Sequence, residues 1–69
     1  MPSAVIRRFH YEADRRQLII DFQSGRRYAY SGVPPDIILG LRRAHSRGSF
    51  FNTHVRDRYP CVLLQDAAR

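Results

Sequence analysis

The hydrophobic period of this chain changes once, at Gly32-Val33-Pro34-Pro35, and that change restricts its folds more than any other feature. Before the break, side chains alternate with the period of two expected of a strand with one buried face. Val5, Arg7, Phe9 and Tyr11 alternate with Ile6, Arg8 and His10; Leu18, Ile20 and Phe22 alternate with Ile19, Asp21 and Gln23. Tyr28 and Tyr30 share one face, opposite Arg27 and Ala29. Strands are predicted over Val5–Tyr11, Leu18–Gln23 and Arg26–Ser31. The polar stretch 12–17 forms one turn. Ser24-Gly25 forms a tight one, because glycine accepts the positive φ that short hairpin loops require. Links this short join antiparallel strands, since parallel crossovers need a dozen residues or more.

After the break the period is helical. Pro35 suits the first helical position, where its missing N–H is not needed. Asp36 in the first turn and Arg42 and Arg43 in the last complement the helix dipole. Ile37, Ile38, Leu41 and Ala44 form the apolar stripe. Gly40 costs about 1 kcal/mol relative to alanine inside a helix, so close packing against the sheet would explain it. The helix stops near His45. Ser46-Arg47-Gly48 reads as a loop in which glycine supplies a positive φ, and Ser49 as the N-cap of a second helix over Phe50–Arg56. Phe51 and Val55 occupy one face of it, Phe50 and His54 a neighbouring one. Pro60 ends this region, and Cys61–Leu64 returns as a short extended segment. The expected fold is therefore α+β: a three-stranded antiparallel meander, two short helices packed on one face, and a short C-terminal extended segment, all in a single domain over 1–69. Its core should unite Phe9, Leu18, Ile20, Phe22, Tyr28, Ile37, Leu41, Phe51 and Val55.

Size and charge narrow the function. A chain of 69 residues buries only about 60% of its unfolded surface, and the single Cys61 cannot form an internal disulfide staple. One unpaired thiol and no apolar leader imply a reducing, cytoplasmic setting with no membrane span. All twelve basic residues are arginine. Residues 1–41 set six arginines against Glu12, Asp14, Asp21 and Asp36, whereas residues 42–58 set five against Asp57 alone; Arg69 balances Asp66. The surplus in one segment is an electrostatic footprint for an anionic partner.

The inventory for catalysis is poor. His10, His45 and His54 lack the companions that a zinc site requires, and Cys61 stands in apolar sequence where a thiol is inert packing. Ser46, His54 and Asp57 can be grouped on paper, but so small a fold offers little room for a pocket that excludes water. No catalytic residue, metal site or cofactor is expected. For binding, Asn52 and Arg56 stand one helical turn apart, where an amide and a guanidinium can share one phosphate or base edge. A structural role for the pair, with Arg56 on Asp36 or a helix carbonyl, is equally open. Arg42, Arg43, Arg47 and Arg58 complete the nucleic-acid-binding set, with solvated charge as the bland alternative. Tyr30, Ser46, Gly48 and His54 are further candidate ligand contacts, of which Ser46 and Gly48 equally well shape a turn.

Tyr28-x-Tyr30-x-Gly32-Val33-Pro34, followed by Ser46-x-Gly48-x-Phe50-Phe51-Asn52-x-x-Val55-Arg56-x-x-Tyr59-Pro60, resembles the KTSC domain. The Leu18-x-Ile20-x-Phe22 strand fits as well, so the resemblance runs from about Ser3 to Leu64. That family is named for the C-terminus of some lysyl-tRNA synthetases and also occurs as small free-standing bacterial and phage proteins. The resemblance implies contact with RNA without assigning an activity. Cys61 departs from the aromatic residue common after Tyr-Pro, which removes a stacking ring at that spot. Three readings follow from the residues: an RNA-binding module, a protein-interaction module using a sheet edge or the Phe50/His54 face, and a pocket for an anionic nucleotide or metabolite. The sequence does not set the oligomeric state.

Overall fold

The structure, a computed structural model, describes residues 5–66. Ser3 and Arg69, which enter the readings above, lie outside the described residues. Strand β1 (Ile6–Glu12) leads to β2 (Gln17–Phe22) and β3 (Arg27–Tyr30), then helices α1 (Pro35–Arg43) and α2 (Arg47–His54), and last β4 (Cys61–Gln65). The sheet has four strands in the order β1-β2-β3-β4, every pair antiparallel. The expected three-stranded meander is thus corrected to four strands. The Cys61–Leu64 segment does more than run extended: it pairs along β3, with Tyr30 opposite Cys61 and Ala29 opposite Val62. Ser31 N donates to Pro60 O at 2.9 Å and extends that ladder by one bond.

Local chemistry accounts for the turns. The β1–β2 turn closes through Arg15 N to Glu12 O and Arg16 N to Ala13 O, both 3.2 Å, with Arg16 at φ 50°. The β2–β3 turn closes through Phe22 N to Arg26 O and Gly25 N to Phe22 O. Gly25 holds φ 99°, a conformation that L side chains rarely adopt. The Gly32–Pro34 connector is tied to the first hairpin at two points, Val33 N to Arg16 O at 2.9 Å and Tyr11 Oη to Val33 O at 2.7 Å. Val33, fully buried, thus anchors the point where strand gives way to helix.

The alternation in β2 sends Leu18 and Ile20 into a core with Tyr30 and Val33. Ile38 and Leu41 of α1, and Phe51 and Val55 of the α2 region, complete the buried cluster. Phe9, Phe22, Tyr28 and Ile37 pack against it only partly buried, so the expected core is displaced by one residue on α1, where Ile38 and not Ile37 points fully inward. Phe51 is the hub. Its ring meets Phe22 and Tyr30 edge-on, each at 5.4 Å between centroids. Gly40 has a cause different from the one expected: a Cβ there would overlap the tip of the Phe50 ring, so the glycine lets α2 approach α1 and not the sheet. On the opposite sheet face Asp21 lies between Arg8 (2.7 Å) and Arg27, and the Arg27 and Arg8 hydrogen bonds hold its carboxyl below the usual range. No helix among the described residues is long and apolar enough to cross a membrane.

Candidate functional site

Helix α2 begins one turn earlier than the sequence indicates, and this reassigns its first residues. Ser46, not Ser49, is the N-cap: its Oγ accepts from Ser49 N at 3.2 Å and donates to Ser49 Oγ at 3.1 Å. Gly48 sits inside the first turn and does not have positive φ, so the predicted 46–48 loop is helix from Arg47 onward. The cap satisfies one of the free N–H groups at the helix start.

The other end of α2 also differs. The helix stops at His54, where Val55 N and Arg56 N both donate to Phe51 O at 2.9 Å. The chain then turns through Asp57 at φ 63°, and Arg58 N closes the turn on Val55 O at 3.1 Å. Aspartate is among the few non-glycine residues that tolerate this region. Because Arg56 lies beyond the helix, the i, i+4 geometry assumed for Asn52 and Arg56 does not form. Asn52 is half-buried, with an Oδ1 that has no hydrogen-bond partner, whereas Arg56 is exposed on the turn. Arg58 donates from Nε to Thr53 O at 3.0 Å, which satisfies a carbonyl of the last helical turn.

The turn after α2, the β2–β3 hairpin and the start of β4 line an open, cleft-like cavity of about 590 Å³, a size usual for small-ligand sites. Its rings come from Phe22, Tyr28 and Tyr30 of the sheet, Phe51 of α2 and Tyr59 before β4. Phe22 and Tyr28 meet edge-on at 5.9 Å, and Tyr28 and Tyr30 are tilted at 6.2 Å. Arg26, Arg56 and Asp57 bring charge to the rim, and the exposed Cys61 thiol lies on the wall. Cys61 is therefore not packed away as its apolar neighbours imply. Burial pushes the Tyr30 phenol well above the usual tyrosine range; Cys61, Tyr28 and Asp57 add to this and Arg56 opposes it. Arg26 donates to Asp66 at 3.2 Å. Arg56 and Asp57 make no side-chain hydrogen bond or ion pair among the described residues.

The predicted basic surface divides in two. Arg42 and Arg43 are exposed in the last turn of α1, and Arg47 opens α2, its guanidinium 5.4 Å from the centre of the Phe9 ring. Arg47, Ser46 and Gly48 also line a second, shallower cleft with His45. Arg56 and Arg58 stand at the far end of α2, which at eight residues is about 12 Å long. Of the candidate ligand contacts, only Tyr30 reaches the aromatic cavity; His54 is exposed and stacks against Phe50 at 4.4 Å. Sequence reasoning missed Arg26, Asp57, Tyr59 and Cys61 as cavity residues. The signal that points to them is the return of β4 beside β3, which brings the Asp57–Cys61 turn to the Tyr28–Tyr30 side chains.

Comparison with known proteins agrees with this architecture. The chain is 38% identical over 57 residues to a lysine–tRNA ligase of Nostoc punctiforme, a match covering 83% of this chain but only 10% of that protein. It is 35% identical over 52 residues to an uncharacterized protein of Stutzerimonas stutzeri, covering 75% of this chain and 73% of that one. The crystal structure of a KTSC domain protein from Yersinia pestis superposes with a TM-score of 0.86 at 29% identity, covering 94% of this chain and 92% of that one. The KTSC domain model matches residues 2–59, and the chain belongs to the KTSC domain family.

Proposed function

We propose that this domain is a non-catalytic RNA-contacting module that seats an unpaired nucleotide in the aromatic cavity beside Arg56. The observation that carries the reading is the meeting of tyrosine and phenylalanine rings with an unpaired guanidinium in one cavity of about 590 Å³. Single-stranded RNA is held by that combination, because every base has a face to stack and every nucleotide a phosphate to neutralise. Tyr28 and Tyr59 offer ring surface at the cavity, and Arg56 on the same lining offers a guanidinium for a phosphate. Arg42, Arg43 and Arg47 add positive charge about one helix length away, suited to further phosphates of the same strand. The net charge of +6 favours such a partner. The lysine–tRNA ligase relative, which contains a matching segment, supports a setting near tRNA.

The test is binding of a short labelled single-stranded RNA at low salt, followed by fluorescence anisotropy. Arg56→Gln should weaken binding several-fold while leaving the melting curve unchanged. Arg56→Lys keeps the charge but loses the fork, so a loss there identifies a bidentate grip. Absence of RNA binding at low salt by the wild type refutes the reading.

A second reading has its own observation. β4 is an edge strand exposed along its whole length, with Val62, Leu63 and Leu64 between 45% and 61% exposed. An unprotected apolar edge accepts an added strand from a protein partner. Salt separates the two readings, since strand addition persists at ionic strengths that strip RNA from arginine.

A further inference from the structure

The geometry points to Asp57 as a base-specificity residue: the nucleotide seated in the aromatic cavity is guanosine, with the Asp57 carboxylate accepting from its N1–H and N2 amino group. This rests on the RNA reading above and specifies it.

Asp57 is an unusual feature of a site otherwise suited to anions. The chain carries twelve arginines and six carboxylates. Asp21 is matched by Arg8 and Arg27, Glu12 by His10, and Asp66 by Arg26, whereas Asp14, Asp36 and Asp57 form no ion pair among the described residues, and of these three only Asp57 lines the cavity. Asp57 follows Arg56 and shares a cavity with both Arg26 and Arg56, yet it pairs with neither. The turn at φ 63° fixes its backbone, closed by Arg58 N on Val55 O and braced by Arg58 Nε on Thr53 O. Asp57 lines the same cavity as the Tyr28, Tyr30 and Tyr59 rings. A carboxylate kept unpaired among guanidinium groups, on a braced turn, is available to a ligand.

The chemistry of the carboxylate then selects the base. Ionised aspartate only accepts hydrogen bonds, and does so at two oxygens. Uracil presents carbonyl acceptors on both sides of a single donor. Adenine and cytosine each present one amino donor beside a ring-nitrogen acceptor. Guanine presents two adjacent donors, N1–H and the N2 amino group, which match the two oxygens of one carboxylate. The opposite charge of Arg56 on the neighbouring residue fits the phosphate of the same nucleotide. The rings between them accept any base and so add affinity without choice.

The experiment uses the full chain and three labelled seven-nucleotide RNAs that are uridine except for a central guanosine, adenosine or inosine, with anisotropy read at low salt. A good bidentate base contact is worth about tenfold in discrimination. The guanosine probe should therefore bind about tenfold more tightly than the adenosine probe. Inosine lacks the N2 amino group and should fall between them. Two variants test the assignment without disturbing the turn: Asp57→Asn, because asparagine also tolerates positive φ, and Asp57→Gly, because glycine prefers it. Both should reduce the guanosine preference to within about twofold while adenosine binding holds or improves. If all three probes bind equally to wild type, or the preference survives in both variants, the assignment to Asp57 is wrong and the RNA reading stands. If no probe binds at low salt, the RNA reading fails and the guanosine assignment with it.

Discussion

Replacing Phe51 with alanine tests the packing that builds the cavity. Phe51 is 2% exposed, lies at the meeting of Phe22 and Tyr30, and belongs to both the core cluster and the cavity wall. Truncating a buried phenylalanine costs about 3–5 kcal/mol through lost transfer energy and the void left behind. The truncation also removes both edge-to-face ring pairs, which favours the upper half of that range. A domain of 69 residues has about 3.5–10 kcal/mol of total stability. Phe51→Ala should therefore shift the urea midpoint down by about 4–5 M, given a slope near 1 kcal/mol per M for a small domain, or leave the protein unfolded in buffer. Phe50→Ala is the control: Phe50 is half-buried between Gly40 and His54, and its loss should cost only about 1–1.5 kcal/mol. Urea unfolding followed by far-UV circular dichroism measures both. A Phe51→Ala protein that unfolds cooperatively at a midpoint equal to that of Phe50→Ala would refute the assignment of Phe51 as hub.

Two further outcomes follow from particular groups. The Tyr30 phenol is raised in the folded protein by burial, so above pH 10 the unfolded chain loses that proton first and folding stability declines by about 1.4 kcal/mol per pH unit. Below pH 10 the group contributes no such dependence, and urea midpoints at pH 9, 10 and 11 should show Tyr30→Phe declining less steeply than wild type. Ser46→Ala removes the N-cap of α2 and should cost about 1 kcal/mol, whereas Ser49→Ala leaves the Ser49 N–H in place and should cost clearly less in the same unfolding assay.

Much of the fold is legible in the sequence because strand and helix periods are local. Leu18, Ile20 and Tyr30 point inward as alternation requires, and Pro35 opens α1 as its fixed φ and missing N–H favour. β4 is harder to read. Val62, Leu63 and Leu64 form an apolar run without alternation, all of them exposed, so nothing local marks the segment as a paired edge strand. The ends of α2 are hidden for another reason. Ser46 and Ser49 are both competent caps, and only the Ser46 Oγ–Ser49 N geometry decides between them. The candidate site is only partly legible because its residues come from three separated segments. Tyr30 and Arg56 stand out by type, but Arg26, Asp57 and Cys61 join them only through β3–β4 pairing and the hairpin at Gly25. A charge count by sequence window groups Arg42, Arg43 and Arg47 with Arg56 and Arg58, while α2 holds the two sets apart at its opposite ends.

That separation makes one measurement decisive for the central claim. Titration of a short single-stranded RNA into isotope-labelled protein at low salt, followed by amide chemical shifts, locates the contact residue by residue. The aromatic-cavity account predicts the largest shifts at Phe22–Tyr30 and Arg56–Cys61, with smaller, salt-sensitive ones at Arg42–Gly48. Shifts confined to Arg42–Gly48, with the cavity residues unmoved, would contradict it.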